Sequence, residues 1–253
     1  LFEARTRNRV GHLAHHGRSS HTIEFTTDEQ RGHADVGQGA LTGADGKSVL
    51  ANAAKLANDV GAISMLQEKN LPFVAGAAIN CYNQHTLRQL ISMGLSRWVM
   101  PVELSGQWLA EILSQSVIAD IRCCFNTEVF AFGHLPLAWS GRCFTARSEN
   151  RSKDQCELCC INYPAGREVK SQDGTDVFVL NGIQTQSGFR YNLVNQLNTM
   201  ADTVDIVRLS PQVEGTFDWL AKFKANINGA APQQLSVTDS NGYWLNLAGM
   251  ATG

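Results

Sequence analysis

From about residue 50 onward the sequence alternates short β-type apolar runs with amphipathic stretches of helical spacing, and few architectures accept that rhythm. LPFVAGAAIN (71–80) is an apolar run. QHTLRQLISMGL (84–95) has helical periodicity and ends at a glycine, and SRWVMPVEL then returns to a strand pattern. SGQWLAEILSQS follows as a helix, with Ser105 placed to cap its start. CCFNTEVFAFG (123–133), DVFVLNG (176–182) and TVDIVRLS (203–210) read as strands. Residues 51–69, a stretch near 191–200 and TFDWLAKFKANI (216–227) read as helices. This alternation predicts βαβ units and a parallel sheet. No glycine-rich phosphate loop follows any of the strands, which disfavours a dinucleotide-binding doubly wound sheet. The expected fold is α/β, an incomplete TIM-like barrel over 51–253. A cysteine-rich insert at 134–175 follows one strand, on the side where barrels gather their chemistry.

Residues 1–50 break the rhythm. They hold five of the seven histidines (His12, His15, His16, His21 and His33), no proline and no cysteine, and show neither helical nor strand periodicity. The run TGADGKS (42–48) evokes a phosphate loop, but Leu41 occupies the place of its first glycine. A metal tract and a frame error in the parent gene would each account for the histidines. The segment is expected to be atypical and poorly structured.

Of the 253 residues, 43% are hydrophobic and 17% charged, enough to build a sizeable core. A formal net charge of −2 supplies no general attraction to nucleic acid or to an anionic membrane. No apolar run reaches the roughly 20 residues of a membrane span, and the start lacks the pattern of an export signal. The seven cysteines then read as reduced thiols in a cytoplasmic protein rather than as a disulfide framework.

Four of those cysteines fall in CFTARSENRSKDQCELCC (143–160). Cys143 lacks the close partner that structural zinc favours, whereas Cys156 and Cys159 form one CxxC pair. An iron–sulfur cluster tolerates wider spacing, so spacing alone leaves a cluster, zinc and unmetallated thiols open. Cys81, Cys123 and Cys124 lie in or beside apolar strand-like runs and read as small buried hydrophobes.

EVFAFGHLPLAWSGRCFTARSE resembles the signature of the collagenase-like peptidase family. Glu128, Phe130, Gly133, Leu135, Gly141 and Cys143 fall where that pattern wants them. His134 and Pro136 stand where peptidase-type members carry a small residue and a cysteine. NCYN (80–83), WVMPVELS (98–105), CELCC (156–160), VFVLNGIQT (177–185) and NGYW (241–244) are similar, more narrowly, to the UbiV-type members. These are iron–sulfur proteins of oxygen-independent ubiquinone biosynthesis. The resemblance implies a barrel-like fold and one 4Fe–4S cluster, with Cys143, Cys156 and Cys160 as three of its four thiolates. It places the fourth in an N-terminal segment that here contains no cysteine, and it leaves Cys159 structural.

The resemblance further implies a heterodimer with a related UbiU-type subunit. The pair would support hydroxylation of a quinone precursor, with prephenate rather than dioxygen as the oxygen source. His134, Arg142, Arg147 and Glu149 are the substrate-site candidates near the cluster. Arginine can clamp a carboxylate through two hydrogen bonds, and histidine can exchange a proton near neutral pH. A non-catalytic redox or scaffold partner with a structural cluster is the alternative. Peptidase activity is not expected, because Pro136 removes the inner cysteine of the motif.

Overall fold

The computed structural model describes residues 22–25 and 55–253. The histidine-rich stretch, the TGADGKS run and most of the segment set apart as 1–50 lie outside the described residues.

The chain's βα rhythm is realised first in three units. Strand β2 (Lys55–Ala57) leads to helix α1 (Val60–Glu68), β3 (Phe73–Ala75) to α2 (Gln84–Ser92), and β4 (Leu95–Val99) to α3 (Gly106–Ser114). A four-residue helix α4 (Ser116–Ala119) precedes β5 (Asn126–Trp139). Helices α1, α2 and α3 each start where a side chain can hold an orphan N–H. Asp59 accepts from Ala62 N at 2.9 Å, Asn83 from Thr86 N at 2.9 Å, and Ser105 from Trp108 N at 3.2 Å. The Asp59 cap corrects the expected helix over 51–69. The backbone is extended at residue 59, so Lys55–Ala57 becomes a strand and only the remainder winds into α1.

Later elements are α5 (Phe144–Ser148), β6 (Arg167–Lys170), β7 (Asp176–Asn181), β8 (Gln184–Asn192), α6 (Leu197–Met200), β9 (Ile206–Leu209), α7 (Thr216–Ile227) and β10 (Asp239–Ser240). β2, β3, β4, β5 and β9 pair in parallel in that spatial order. Strand β1 (Thr22–Phe25), which lies within the first fifty residues, continues the row in parallel with β9, Thr22 opposite Ile206. The sheet curls into part of a barrel, as the strand–helix alternation predicts. Its helices cover a core that includes Phe73, Leu87, Trp98, Leu109, Phe132, Tyr191 and Phe223.

The expected parallel sheet is present, and an antiparallel part is joined to it. β5 is fourteen residues long and joins the parallel and antiparallel parts of one sheet. Its first half pairs with β4 and β9, and from Phe132 to Trp139 it runs antiparallel to β8. β8 then pairs antiparallel with β7, and β7 with β6. The β7–β8 hairpin turns through Gly182 and Ile183, with Gly182 at φ 61° and Asn181 opposite Gln184. Glycine at the first of the two central positions is the local signal for such a turn. β5 changes partners at Gly133, whose φ is 124° and where an added Cβ would lie 2.6 Å from Ser210 Cβ. That position demands glycine. The antiparallel arm stands on both sides of residues 140–166, so the cysteine-rich segment is framed by β5 and β6 rather than dangling from a loop.

Candidate metal centre

The frame fixes the first cysteine. At the start of α5, Phe144 N donates to Gly182 O at 2.7 Å, and the buried Thr145 accepts from Gly182 N at 3.2 Å. Cys143 therefore sits at the helix N-cap, where its sulfur accepts from Ala146 N at 3.4 Å. Cys156 and Cys159 bracket a tight turn closed by a 3.0 Å bond from Cys159 N to Cys156 O. Its two central residues, Glu157 and Leu158, both have positive φ, 46° and 53°. Two consecutive non-glycine residues in that region are a local strain that the surrounding contacts must hold. Cys159 and Cys160 begin the next short 3-10 turn, Cys159–Asn162, which packs against α5.

Cys143, Cys156 and Cys160 are half-buried, and Cys159 is buried. Glu149 ties these pieces together. Tyr163 Oη donates to its Oε1 at 2.6 Å, and Arg151 and Arg167 stand 3.1 and 3.8 Å from its carboxylate oxygens. The Tyr163 hydrogen bond, helped by the Arg151 charge, holds the Glu149 carboxyl below its ordinary range. Arg167 also lies over the Tyr163 ring and donates to Ser148 Oγ at 2.8 Å. Burial, and next the Glu149 carboxylate, push the Cys159 thiol up. Cys159 thus has the environment of a structural thiol.

Among the described residues no three His, Cys, Asp or Glu side chains are gathered as a single-ion shell requires. The insert offers three partly accessible thiols, one at the N-cap of α5 and two on the later turns, and the structure does not bring them together around one ion. That set suits a thiophilic cluster more than a hard cation. Apart from Cys159, the remaining cysteines lie outside the insert. Cys81 is buried in the barrel core, its thiol pushed up to about 11 by burial. Cys123 and Cys124 lie on a 3-10 turn before β5 and are exposed, which corrects their reading as buried hydrophobes. The strand-like run begins only at Asn126.

The substrate-site candidates separate. Arg142 and Arg147 are exposed, and neither guanidinium has a partner among the described residues. Glu149 is committed to the insert's own framework. His134 sits on β5 opposite Arg190 of β8, and its Nδ1 donates to Ser187 O at 2.7 Å. That bond leaves Nε2 as the acceptor. Burial is the main reason its pKa falls below the ordinary value.

Two buried ionic clusters were not foreseen from the sequence, although one of them contains a motif residue. Glu128, the first motif residue, is buried and receives Arg97 Nη1 at 3.1 Å and the Arg208 guanidinium. Beside His134, the fully buried Asp239 receives Arg190 Nε and Nη2 at 2.6 Å each and Asn192 Nδ2 at 3.1 Å. Arg190 lies over the Phe132 and Trp219 rings. The available signal was an arginine inside an apolar strand pattern, as in SRWVM and DIVRLS.

Fold and site together define a partial α/β barrel with an antiparallel arm, and the four cysteines of 143–160 lie in the chain between its strands β5 and β6. The profile of peptidase family U32 matches residues 48–218, and the chain belongs to that family. Over 124 residues it is 32% identical to tRNA hydroxylation protein P of Haemophilus influenzae, which is 48% of this chain and 25% of that protein. The chain thus spans about a quarter of that relative's length. No solved structure matches. No helix among the described residues is long and apolar enough to cross a membrane.

Proposed function

We propose that this chain is the iron–sulfur subunit of an oxygen-independent hydroxylation system acting on a ubiquinone precursor, working with a related UbiU-type subunit. The observation that carries the reading is the insert itself. Three half-buried thiols, Cys143, Cys156 and Cys160, stand on turns braced by Glu149. The hydroxylation role in the name of the Haemophilus influenzae relative supports the reaction class. These three residues would hold a 4Fe–4S cluster, with the fourth iron open to solvent or to a small-molecule ligand. When bound, such a cluster supplies one-electron transfer.

The chain's own side chains would do the rest. Arg142 and Arg147, exposed and without a guanidinium partner among the described residues, would bind the carboxylates of a donor such as prephenate. Neutral His134, its Nδ1 engaged, would accept a proton at Nε2. Anaerobic reconstitution followed by iron and sulfide analysis tests the cofactor. Near-stoichiometric sulfide, lost together with iron in Cys143→Ala, is the expected result. Zinc without sulfide, or unchanged iron in that variant, would overturn it. Quinone synthesis in cells carrying Cys156→Ala, with partner capture measured in parallel, tests the role. Lost synthesis with the partner retained supports a working subunit, and retained synthesis defeats the reading.

A second reading takes a tRNA base as the hydroxylated substrate, and the relative's name favours it. The net charge of −2 offers no general attraction to RNA. Nucleoside analysis of tRNA from a strain lacking this chain separates the two. A missing hydroxylated base with normal quinone would replace the first reading by the second.

A further inference from the structure

Away from the insert, the turn Arg122–Cys124 presents two neighbouring thiols to solvent. Their sulfurs are 3.9 Å apart. The turn is held from behind. Arg122 Nη1 donates to Phe125 O at 2.8 Å, its Nη2 meets Asp205 Oδ2 at 2.6 Å, and the guanidinium lies over the Phe125 ring. Asp205 Oδ2 also accepts from Thr127 N at 2.7 Å, so the turn is locked to the first residues of β5. Cys123 lines an open depression of about 560 Å³ shared with Ala119, Asn126 and Asp202.

We propose that Cys123 and Cys124 form a two-thiolate site for a soft, thiophilic centre such as trivalent arsenic, distinct from the thiols of the insert. The spacing is the first reason. Trivalent arsenic carries a lone pair, so two As–S bonds of about 2.3 Å at pyramidal angles of about 100° set the sulfurs roughly 3.5 Å apart, which a small rotation of the two side chains reaches from the 3.9 Å at which they stand. A disulfide between them is poorly accommodated. Adjacent Cα atoms lie about 3.8 Å apart, short of the roughly 4.4–6.8 Å that disulfides span. The braced turn lowers the ordering cost of binding both sulfurs to one atom, and the depression leaves room for an organic substituent.

Phenylarsine oxide is the probe. Two As–S bonds form, the As–O bond breaks, and the two thiol protons leave with that oxygen as water. Arsenic stays trivalent throughout. Trypsin cleavage after Arg122 and Arg142 isolates 123–142, whose only cysteines are Cys123 and Cys124, apart from every thiol of the insert. Native protein treated with one equivalent should yield one phenylarsine on that peptide. A competing dithiol should remove it, and a monothiol at the same concentration should not. Cys123→Ser and Cys124→Ser should each weaken retention about a hundredfold by removing the second attachment. Adducts confined to insert peptides, labelling of 123–142 only after denaturation, or full retention in either serine variant would overturn the site.

Discussion

Cys81 and the pair at 123–124 carry one kind of side chain into opposite surroundings, and chemistry should follow surroundings rather than composition. Burial raises the Cys81 thiol to about 11, so little thiolate exists near neutral pH. Iodoacetamide should therefore label Cys123 and Cys124 in native protein and reach Cys81 only on unfolding, as read by peptide mass mapping. Native labelling of Cys81 at a comparable rate would contradict its placement in the core. His134 makes a second residue-scale test. Its folded pKa lies below 6.5, so the unfolded chain binds more protons in the acidic range. Its contribution is complete above the unfolded value and is lost as pH falls from 6.5 through the lowered folded pKa. Glu168 and Asp239 oppose that shift and Arg190 reinforces it. In His134→Gln the decline of urea stability over this window should flatten, and an unchanged slope would assign the decline to other groups.

At the scale of elements, caps and cross-braces set the boundaries. Asn83 accepts from both His85 N and Thr86 N, at 3.0 and 2.9 Å, and holds the first turn of α2. Asn83→Ala should cost about 1 kcal/mol of unfolding free energy in urea titrations, with Asn83→Ser recovering most of it. The cysteine-rich segment depends on Glu149 in a comparable way, because that one carboxylate meets Tyr163, Arg151 and Arg167. Glu149→Gln should speed tryptic cleavage at Arg151 while leaving the global urea midpoint nearly unchanged. A large midpoint shift would mean that the insert is part of the barrel's cooperative unit.

Across the whole molecule, β5 joins the parallel wall to the antiparallel arm, and Glu128 near its start receives arginines from the strands on either side. Removing one partner from a buried ionic group costs about 3–5 kcal/mol. Glu128→Ala should lower stability by that order in urea or thermal unfolding. A change below about 1 kcal/mol would show that the strands do not rely on this acceptor. The Glu128 result also bears on the family signature, since it gives the motif's first residue a role in holding β4, β5 and β9 in register.

The sequence by itself determined the βα units from β3 to α3, the helix at 216–227 and the clustering of four cysteines along the chain at 143–160. Each rests on local periodicity, a cap or spacing, and those act within a few residues. It also carried the family motif, including the glycine that Gly133 must be. Only the tertiary structure decided that β5 would leave the parallel wall for β8. Cross-strand pairing there joins residues about fifty positions apart, as His134 and Arg190 show, and no local pattern encodes that choice. Exposure of Cys123 and Cys124 was decided in the same way. An apolar neighbourhood in sequence ends at Phe125, and the Arg122–Asp205 pair turns the two thiols outward by a contact across 83 residues.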